Sequence, residues 1–251
     1  MIKFSIITCT WNSADLLWQT LKSVKEQTHT HYEMVFVDGG STDRTLQLIE
    51  EFPGEKVLLE NVKGGIAAAM NAGTKAATGD VVMHLHSDDY LLHDRVLARV
   101  AAYFEQHQCE WLFGRILNDR DGGLYPESYI PPEYSYKALL RSNIVPHAAT
   151  FVKRSLYEKA GGFSTELKLA MDYEMWLRIG RMANPHQLRE ALSVFRRHEG
   201  SATQKNRLAS FEEDYRVRMQ YAGSSLSERA AHWLRYRVRK ARLLKQLQGG
   251  A

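Results

Sequence analysis

Apolar and polar positions alternate in blocks along the first ninety residues. Phe4-Ser5-Ile6-Ile7-Thr8-Cys9-Thr10 is nearly continuously apolar, the pattern of a strand buried on both faces. Asn12-Ser13-Ala14-Asp15 then supplies N-cap chemistry, and Leu16, Leu17, Thr20, Leu21 and Val24 follow at helical spacing. A second apolar run, Tyr32 to Asp38, ends at Gly39-Gly40. Ser41-Thr42-Asp43 caps a helix carrying Leu46, Leu48, Ile49 and Phe52, which Pro53-Gly54 breaks. Lys56 to Glu60 reads as a third strand, Gly65 to Ala77 as an Ala-rich helix stopped at Thr78-Gly79, and Val81 to His86 as a fourth strand running into Ser87-Asp88-Asp89.

Strands alternating with helices predict right-handed βαβ units and an α/β fold with a mainly parallel sheet flanked by helices. In such sheets ligands bind at the carboxyl ends of the strands. Three polar clusters fall there: Thr8 to Asn12, Asp38 to Asp43, and Ser87 to Asp89.

The second half is less regular. Val96 to Gln106 and Asp172 to Arg181 read as helices, and Trp111 to Leu117 and Ala148 to Lys153 as strands. Asn118 to Glu133, rich in Asp, Gly and Pro, reads as a loop. No Ser/Gly linker separates the halves, so one continuous domain is expected over 1–205. It has two functional halves, about 1–90 and about 91–205, with a helical, basic tail over 206–251.

Composition excludes several classes. The 251 residues are 44% hydrophobic and 25% charged, against collagen-like or disordered chains. Cys9 and Cys109 cannot form a disulfide framework. No apolar run is long enough to span a bilayer, and the N-terminus reads as a strand rather than a signal peptide. These features set the expectation of a cytoplasmic protein. The net charge of +4 hides an asymmetry: Arg196 to Ala251 holds 13 Lys/Arg against 5 Asp/Glu, and the remainder 20 against 24. The tail therefore suits an anionic partner. The acidic half offers no aromatic-basic platform, so nucleic acid is not an expected partner.

Asp88-Asp89 at a strand end suits a hard divalent cation, Mg²⁺ or Mn²⁺, held through oxygen. Asp38 can accept hydrogen bonds from a nucleobase N–H or a ribose hydroxyl, or can simply form the turn before Gly-Gly. Gly64-Gly65 before a helix can bring backbone N–H groups near a phosphate. Asp172, at a helix start, is either a cap or a general base. Neither a P-loop nor a Gly-x-Gly-x-x-Gly fingerprint occurs, which argues against an ATPase and a nicotinamide dehydrogenase.

Taken in order, these pieces resemble the family-2 glycosyltransferases of GT-A fold. They are Ser5-Ile6-Ile7-Thr8 with Trp11-Asn12, Val37 to Asp43, Gly65 with Met70-Asn71-Ala72-Gly73, Ala77 to Asp80, Ser87-Asp88-Asp89, His147, Gly161-Gly162-Phe163, Asp172-Tyr173-Glu174 with Leu177-Arg178, and His198 before Gly200-Ser201. The resemblance covers roughly residues 3 to 202, and implies a catalytic domain over 1–205 whose half of about 1–90 binds the nucleotide-sugar and whose half of about 91–205 takes the acceptor. It implies an inverting, metal-dependent transfer of a sugar from a nucleoside-diphosphate sugar to a hydroxyl of a glycan or lipid-linked saccharide, in bacterial surface polysaccharide synthesis. By the same resemblance Asp172 is the general base. Thr8, Asn12, Asp38, Gly65, Asn71 and Asp88 meet the nucleotide-sugar. Asp89, Asp88 and His198 meet the Mn²⁺ or Mg²⁺ ion, and His147 and Glu174 lie on the acceptor side. The chain departs from the family where it carries Met171, His86 and Ala67-Ala68-Ala69 in place of more polar residues.

Two rival readings stand beside this one. A sugar-phosphate nucleotidyltransferase would carry a Gly-rich, basic loop where Thr10-Trp11-Asn12-Ser13 stands. A non-catalytic nucleotide-sugar-binding module would have no use for Asp38, Asp88, Asp89 and Asp172 together. In the tail, Ala230, Trp233, Leu234, Val238, Ala241 and Leu244 fall on one helical stripe, with Arg235, Arg239 and Arg242 opposite. This predicts a helix that either packs its stripe on protein or lies on an anionic membrane surface, making the protein peripheral on the inner face of the cell membrane.

Overall fold

The computed structural model describes residues 1–120, 122–127, 130–197 and 206–248. β1 (Phe4–Thr10), β2 (Tyr32–Asp38), β3 (Lys56–Leu59) and β4 (Val81–His84) are joined by α1 (Ala14–Lys25), α2 (Thr45–Glu50) and α3 (Gly65–Ala76). β1 pairs in parallel with β2 and β4, and β2 with β3. Alternate residues of these strands point to opposite faces. Phe4, Ile6, Met34 and Phe36 enter one apolar cluster, and Ile7, Val35 and Val37 the other. Burial on both faces is why β1 and β2 read as unbroken apolar runs.

Then follow β5 (Tyr90–Leu91), α4 (Val96–Gln106), β6 (Trp111–Arg120), β7 (Gly123–Pro126), α5 (Tyr136–Arg141), a 3₁₀ turn (His147–Ala149), β8 (Thr150–Lys153), α6 (Arg154–Ala160), α7 (Met171–Ile179) and β9 (His186–Arg196). The sheet runs β3-β2-β1-β4-β8-β6-β9-β5, with β7 paired to β6 beside that path. β8 is antiparallel to β4 and β6, and β5 to β9. The parallel expectation thus holds for the first four strands, and the second half turns the sheet mixed. There β6 and β7 form a hairpin, and of the remaining pairs only β6 with β9 is parallel. The expected loop from Asn118 is corrected as well. β6 continues to Arg120, and β7 folds back on it, pairing Tyr125 with Asn118.

Two helices complete the described chain, α8 (Arg207–Tyr221) and α9 (Leu226–Gln248). α8 buries Val217 in the cluster that holds Tyr173 and Trp176. α9 lies on α8, stacking Tyr236 on Tyr215 at 4.0 Å. The Lys240 ammonium pairs with Glu212 at 2.5 Å, and His232 is buried. This fixes the helix rotation against one of the expected arrangements. The apolar stripe does not pack on the rest of its own chain: Trp233 (51%), Leu234 (59%) and Val238 (45%) are exposed. Arg235, expected on the solvent side, is turned inward with its Nε buried.

Candidate active site

A cavity of about 1040 Å³ opens at the carboxyl ends of β1, β2 and β4. Thr10 and Trp11, Gly39, and Ser87 to Asp89 bring the three polar clusters of the sequence to its wall. Gly64 and Gly65 line it too, with φ of +105° and +83°, a left-handed pair that a side chain would strain at the start of α3. The opposite wall carries Asn143, His147, Met171 and Asp172.

Of the residues expected at the donor, Gly65 and Asp88 face this cavity and four others do not line it. Thr8 is fully buried and donates to the Leu85 carbonyl at 2.8 Å. Asn12 accepts the Thr42 N–H and ties the β1 loop to the β2 loop. Asn71 grips the backbone of Phe163, accepting its N–H at 2.7 Å and donating to its carbonyl at 2.9 Å. Gly162 before it has φ +80°, and a Cβ there would stand 2.7 Å from the Asn71 Oδ1. Asp38 is 1% exposed. Its Oδ1 accepts the N–H groups of Gly40 and Ser41, and its Oδ2 the hydroxyls of Thr10 and Ser41. Four donors fill the roughly four lone-pair sites of a carboxylate. Burial pushes the Asp38 carboxyl up, but these donors outweigh it and hold the group below the usual range. Its place in the turn follows from the backbone: Asp38 builds the wall on which Gly39 is presented.

Asp89 is 3% exposed, with Oδ1 accepting the Arg196 N–H at 3.2 Å. Burial first, and then the neighbouring Asp88, push its carboxyl well above the ordinary range. Negative charge is crowded at this buried rim even though Arg196 acts on Asp89, and a hard cation is the chemistry that would suit it. Among the described residues no cluster of three or more His, Cys, Asp or Glu comes together to hold a metal. His198, with Gly200 and Ser201, lies outside the described residues.

Asp172 stands in the first turn of α7. Burial pushes its carboxyl up to about 6, against the Tyr173 N–H at 2.7 Å and the Asn143 amide at 3.4 Å. A carboxylate near 6 is a base poised close to neutral pH. Glu174 does not line the cavity: it pairs with Arg178 and accepts from the Tyr221 hydroxyl. One turn of helix separates faces by residue spacing, and Asp172 and Glu174 do not share one. His147 does line the cavity, stacked on His86 at 5.0 Å and 15°. Both His147 ring nitrogens and the His86 Nδ1 are buried without a partner. Burial, then His86 and His84, hold the His147 imidazole well below its usual value.

The sequence reading passed over several wall residues. Arg197, which donates to Asn118 at 2.7 Å, and Lys168 bring cations to the cavity. Behind the lining, Asp214 of α8 feels Asp172 across the fold; burial and then Asp172 raise its carboxyl to about 7. The tandem Arg196-Arg197 was the one legible signal among these.

The sequence matches the model of glycosyl transferase family 2 over residues 5–158. A PGL/p-HBAD biosynthesis glycosyltransferase of Mycobacterium bovis is 33% identical over 184 residues, covering 70% of this chain and 68% of that protein. The structure is similar to S. aureus TarS 1–349 in complex with UDP, with a TM-score of 0.71, 25% identity, and coverage of 92% of this chain and 68% of that one. It is also similar to a mannosyltransferase of Pyrobaculum calidifontis in complex with GDP-Man and Mn²⁺, with a TM-score of 0.69, 20% identity, and coverage of 90% and 66%. The shared fold is GT-A.

Proposed function

The chain belongs to glycosyl transferase family 2, and from that premise we propose that it is an inverting transferase. It moves a sugar from a nucleoside-diphosphate sugar to a hydroxyl of a saccharide or lipid-linked saccharide, in the synthesis of bacterial surface glycans. One observation carries the reading: a single cavity has Asp88-Asp89 on one wall and Asp172 on the other.

Asp88 and Asp89 would hold a Mn²⁺ or Mg²⁺ ion, whose remaining oxygen ligands would come from the donor's phosphates and water. Such an ion supplies stabilisation of the negative charge that develops on the leaving diphosphate. Gly64 and Gly65 present backbone close to the donor, and Arg197 and Lys168 add positive charge for its phosphates. Trp11, 71% exposed at the mouth, offers a face for the base. Asp172 accepts the proton of the acceptor hydroxyl as it attacks the anomeric carbon, and the sugar–phosphate bond breaks on the opposite side. One base and one displacement give inversion.

The outward face of α9, where exposed Arg237 and Lys245 stand among the apolar stripe, suits an anionic membrane surface and supports a peripheral location where lipid-linked acceptors lie. No helix among the described residues is long and apolar enough to cross a membrane. The experiment is a screen of UDP- and GDP-sugars with Mn²⁺. Binding is read by thermal shift and turnover by nucleotide release. A donor that stabilises the protein and is consumed on adding a saccharide acceptor supports the reading. Stabilisation with no consumption of any donor, with or without acceptor, favours a binding module instead.

A further inference from the structure

Outside the cavity, three helices bring together more positive charge than the neighbouring acids balance. Arg141 ends α5, Arg218 stands in the last turn of α8, and Arg235 and Arg239 lie one turn apart on α9. One contact joins two of the four, and the others hold neighbouring side chains. An Arg239 guanidinium N–H donates to the Arg141 carbonyl at 3.3 Å, an Arg235 Nη lies 3.5 Å from the His232 Nδ1, and the Arg218 Nε donates to the Tyr173 hydroxyl at 3.3 Å. None of the four arginines lines the catalytic cavity.

Of the four acids on α8 and α9, Asp214 feels Arg218 and Glu228 acts on His232, and the other two are engaged elsewhere. Glu212 pairs with Lys240 and Glu213 with Arg216, and Arg141, Arg235 and Arg239 enter no ion pair among the described residues. The Arg235 Nε is buried with no hydrogen-bond partner. A buried cationic donor left unpaired is costly, and native structures seldom keep one without a partner that satisfies it. The charges also oppose one another. After burial, Arg141, Arg218 and Arg239 push the Arg235 guanidinium down, and Arg235, Arg218 and Arg141 do the same to the His232 imidazole. Both defects have the same remedy, a compact anion with several acceptor oxygens.

We propose that Arg141, Arg218, Arg235 and Arg239 form a binding site for a phosphate group between α5, α8 and α9. Planar guanidinium forks match phosphate oxygens two at a time, and one phosphate can serve several forks, where a carboxylate has only two oxygens to share. The site sits behind the base. Arg218 holds Tyr173, the residue after Asp172, and Arg141 precedes by two residues the Asn143 whose amide reaches Asp172. A phosphate bound here ties the C-terminal helices to the wall that carries the base. The same chemistry is offered by a free phosphate or by a phospholipid headgroup, since the exposed stripe of Trp233, Leu234 and Val238 lies on the same helix.

The test uses the full chain in chelator without nucleotide, with inorganic phosphate as the probe and chloride at matched ionic strength as the control. Phosphate is expected to raise the melting temperature in a saturable way that chloride does not reproduce. Arg235→Gln and Arg239→Gln should each weaken the apparent affinity by about tenfold or more, the loss of a charged hydrogen-bonding partner. Arg237→Gln, on the outward face of α9, should leave it unchanged. Arg239 is exposed, so its variant keeps the test valid if Arg235→Gln fails to fold. A phosphate response no larger than that of chloride, or an equal loss in Arg237→Gln, overturns the site. Vesicles of phosphatidylglycerol against phosphatidylcholine separate the sources. If Arg239→Gln sediments less with phosphatidylglycerol and inorganic phosphate competes, the ligand is a headgroup. If it sediments like wild type while losing the phosphate response, the ligand is soluble. Either pattern supports the site.

Discussion

The Glu213 carboxylate accepts the backbone N–H of Ala170 at 2.8 Å, and the same Oε2 also takes the N–H groups of Lys168 and Leu169. Glu213 is 6% exposed and belongs to α8, forty-three residues further along the chain. It closes a turn of three N–H groups immediately before α7, the helix that begins Met171-Asp172. The end of that helix is therefore capped from outside its own sequence.

Removing this acceptor leaves buried donors unpaired next to the base. Glu213→Ala should cost roughly 2–3 kcal/mol, or about 5–10 °C in melting temperature for a chain of this size. Turnover should fall by more than the donor KM rises, because the turn leads directly into the base while Lys168 is only one of several donor contacts. Glu213→Gln, which keeps one oxygen, should recover part of both. A Glu213→Ala protein with full turnover and an unchanged melting point would refute the positioning role.

Asp172→Asn should fold, bind the donor nucleotide and lose transfer by about 10²-fold or more, since the attacking hydroxyl loses its proton acceptor. The wild-type pH profile gives a second reading. With its carboxyl raised to about 6 by burial, Asp172 is the working base only when ionised. kcat/KM should rise with pH through about 6 and then level, and this limb should vanish in the variant's residual activity. Steady-state kinetics from pH 5 to 8 decide it.

Asp89→Ala should abolish transfer, and chelation should do the same to the wild type, with Mn²⁺ or Mg²⁺ restoring it. The crowding of Asp89 against Asp88 adds a direct binding test. Isothermal titration of the wild type with Mn²⁺ and a nucleoside diphosphate should show a ternary complex that Asp89→Ala does not form. Full activity after exhaustive chelation would remove the metal from the reaction.

Much of the first ninety residues could be read in the sequence, because burial on both faces writes β1, β2 and β4 as apolar runs and puts their polar ends on one rim. The roles of individual polar residues were less legible. Asp38 and Asn71 sit in family-like motifs, yet their side chains are used up by Ser41 and Phe163. Nothing in the residue type distinguishes a carboxylate that awaits a ligand from one already holding four donors. Glu213 and Asp214 were illegible for a different reason: their partners lie some forty residues away, and no periodicity encodes such a contact. The direction of α9 belongs to the same class. Its apolar stripe was visible, but the stacking of Tyr236 on Tyr215 decided which way it faces.

Truncation after Gly223 isolates the contribution of α9. The outward face combines Trp233, Leu234 and Val238 with basic side chains, and each basic residue near an anionic surface contributes about 1 kcal/mol. The full chain should co-sediment with anionic vesicles, and this should weaken steeply between low and physiological salt. The truncated chain should stay in solution. Equal binding of both forms would move the membrane contact, if any, off this helix.

Asp214 supplies the last prediction. Its carboxyl is raised from an ordinary 3.8 to about 7, by burial first and then by Asp172. The folded chain therefore holds this proton more tightly than the unfolded one. Its contribution to stability is full below about pH 4 and is lost as pH rises through about 7. Asp214→Asn has no proton to lose, so its advantage over wild type should be absent at pH 4 and grow towards pH 8. There it should melt higher by at least about 2 °C, the shift expected of 1 kcal/mol in a chain of this length. The acid limb of the rate profile should stay near 6, because Asp214 is still protonated when Asp172 ionises. Melting curves that run parallel at every pH would show that Asp214 does not titrate in this range. A limb that moves with the variant would show that the two carboxylates ionise in the opposite order.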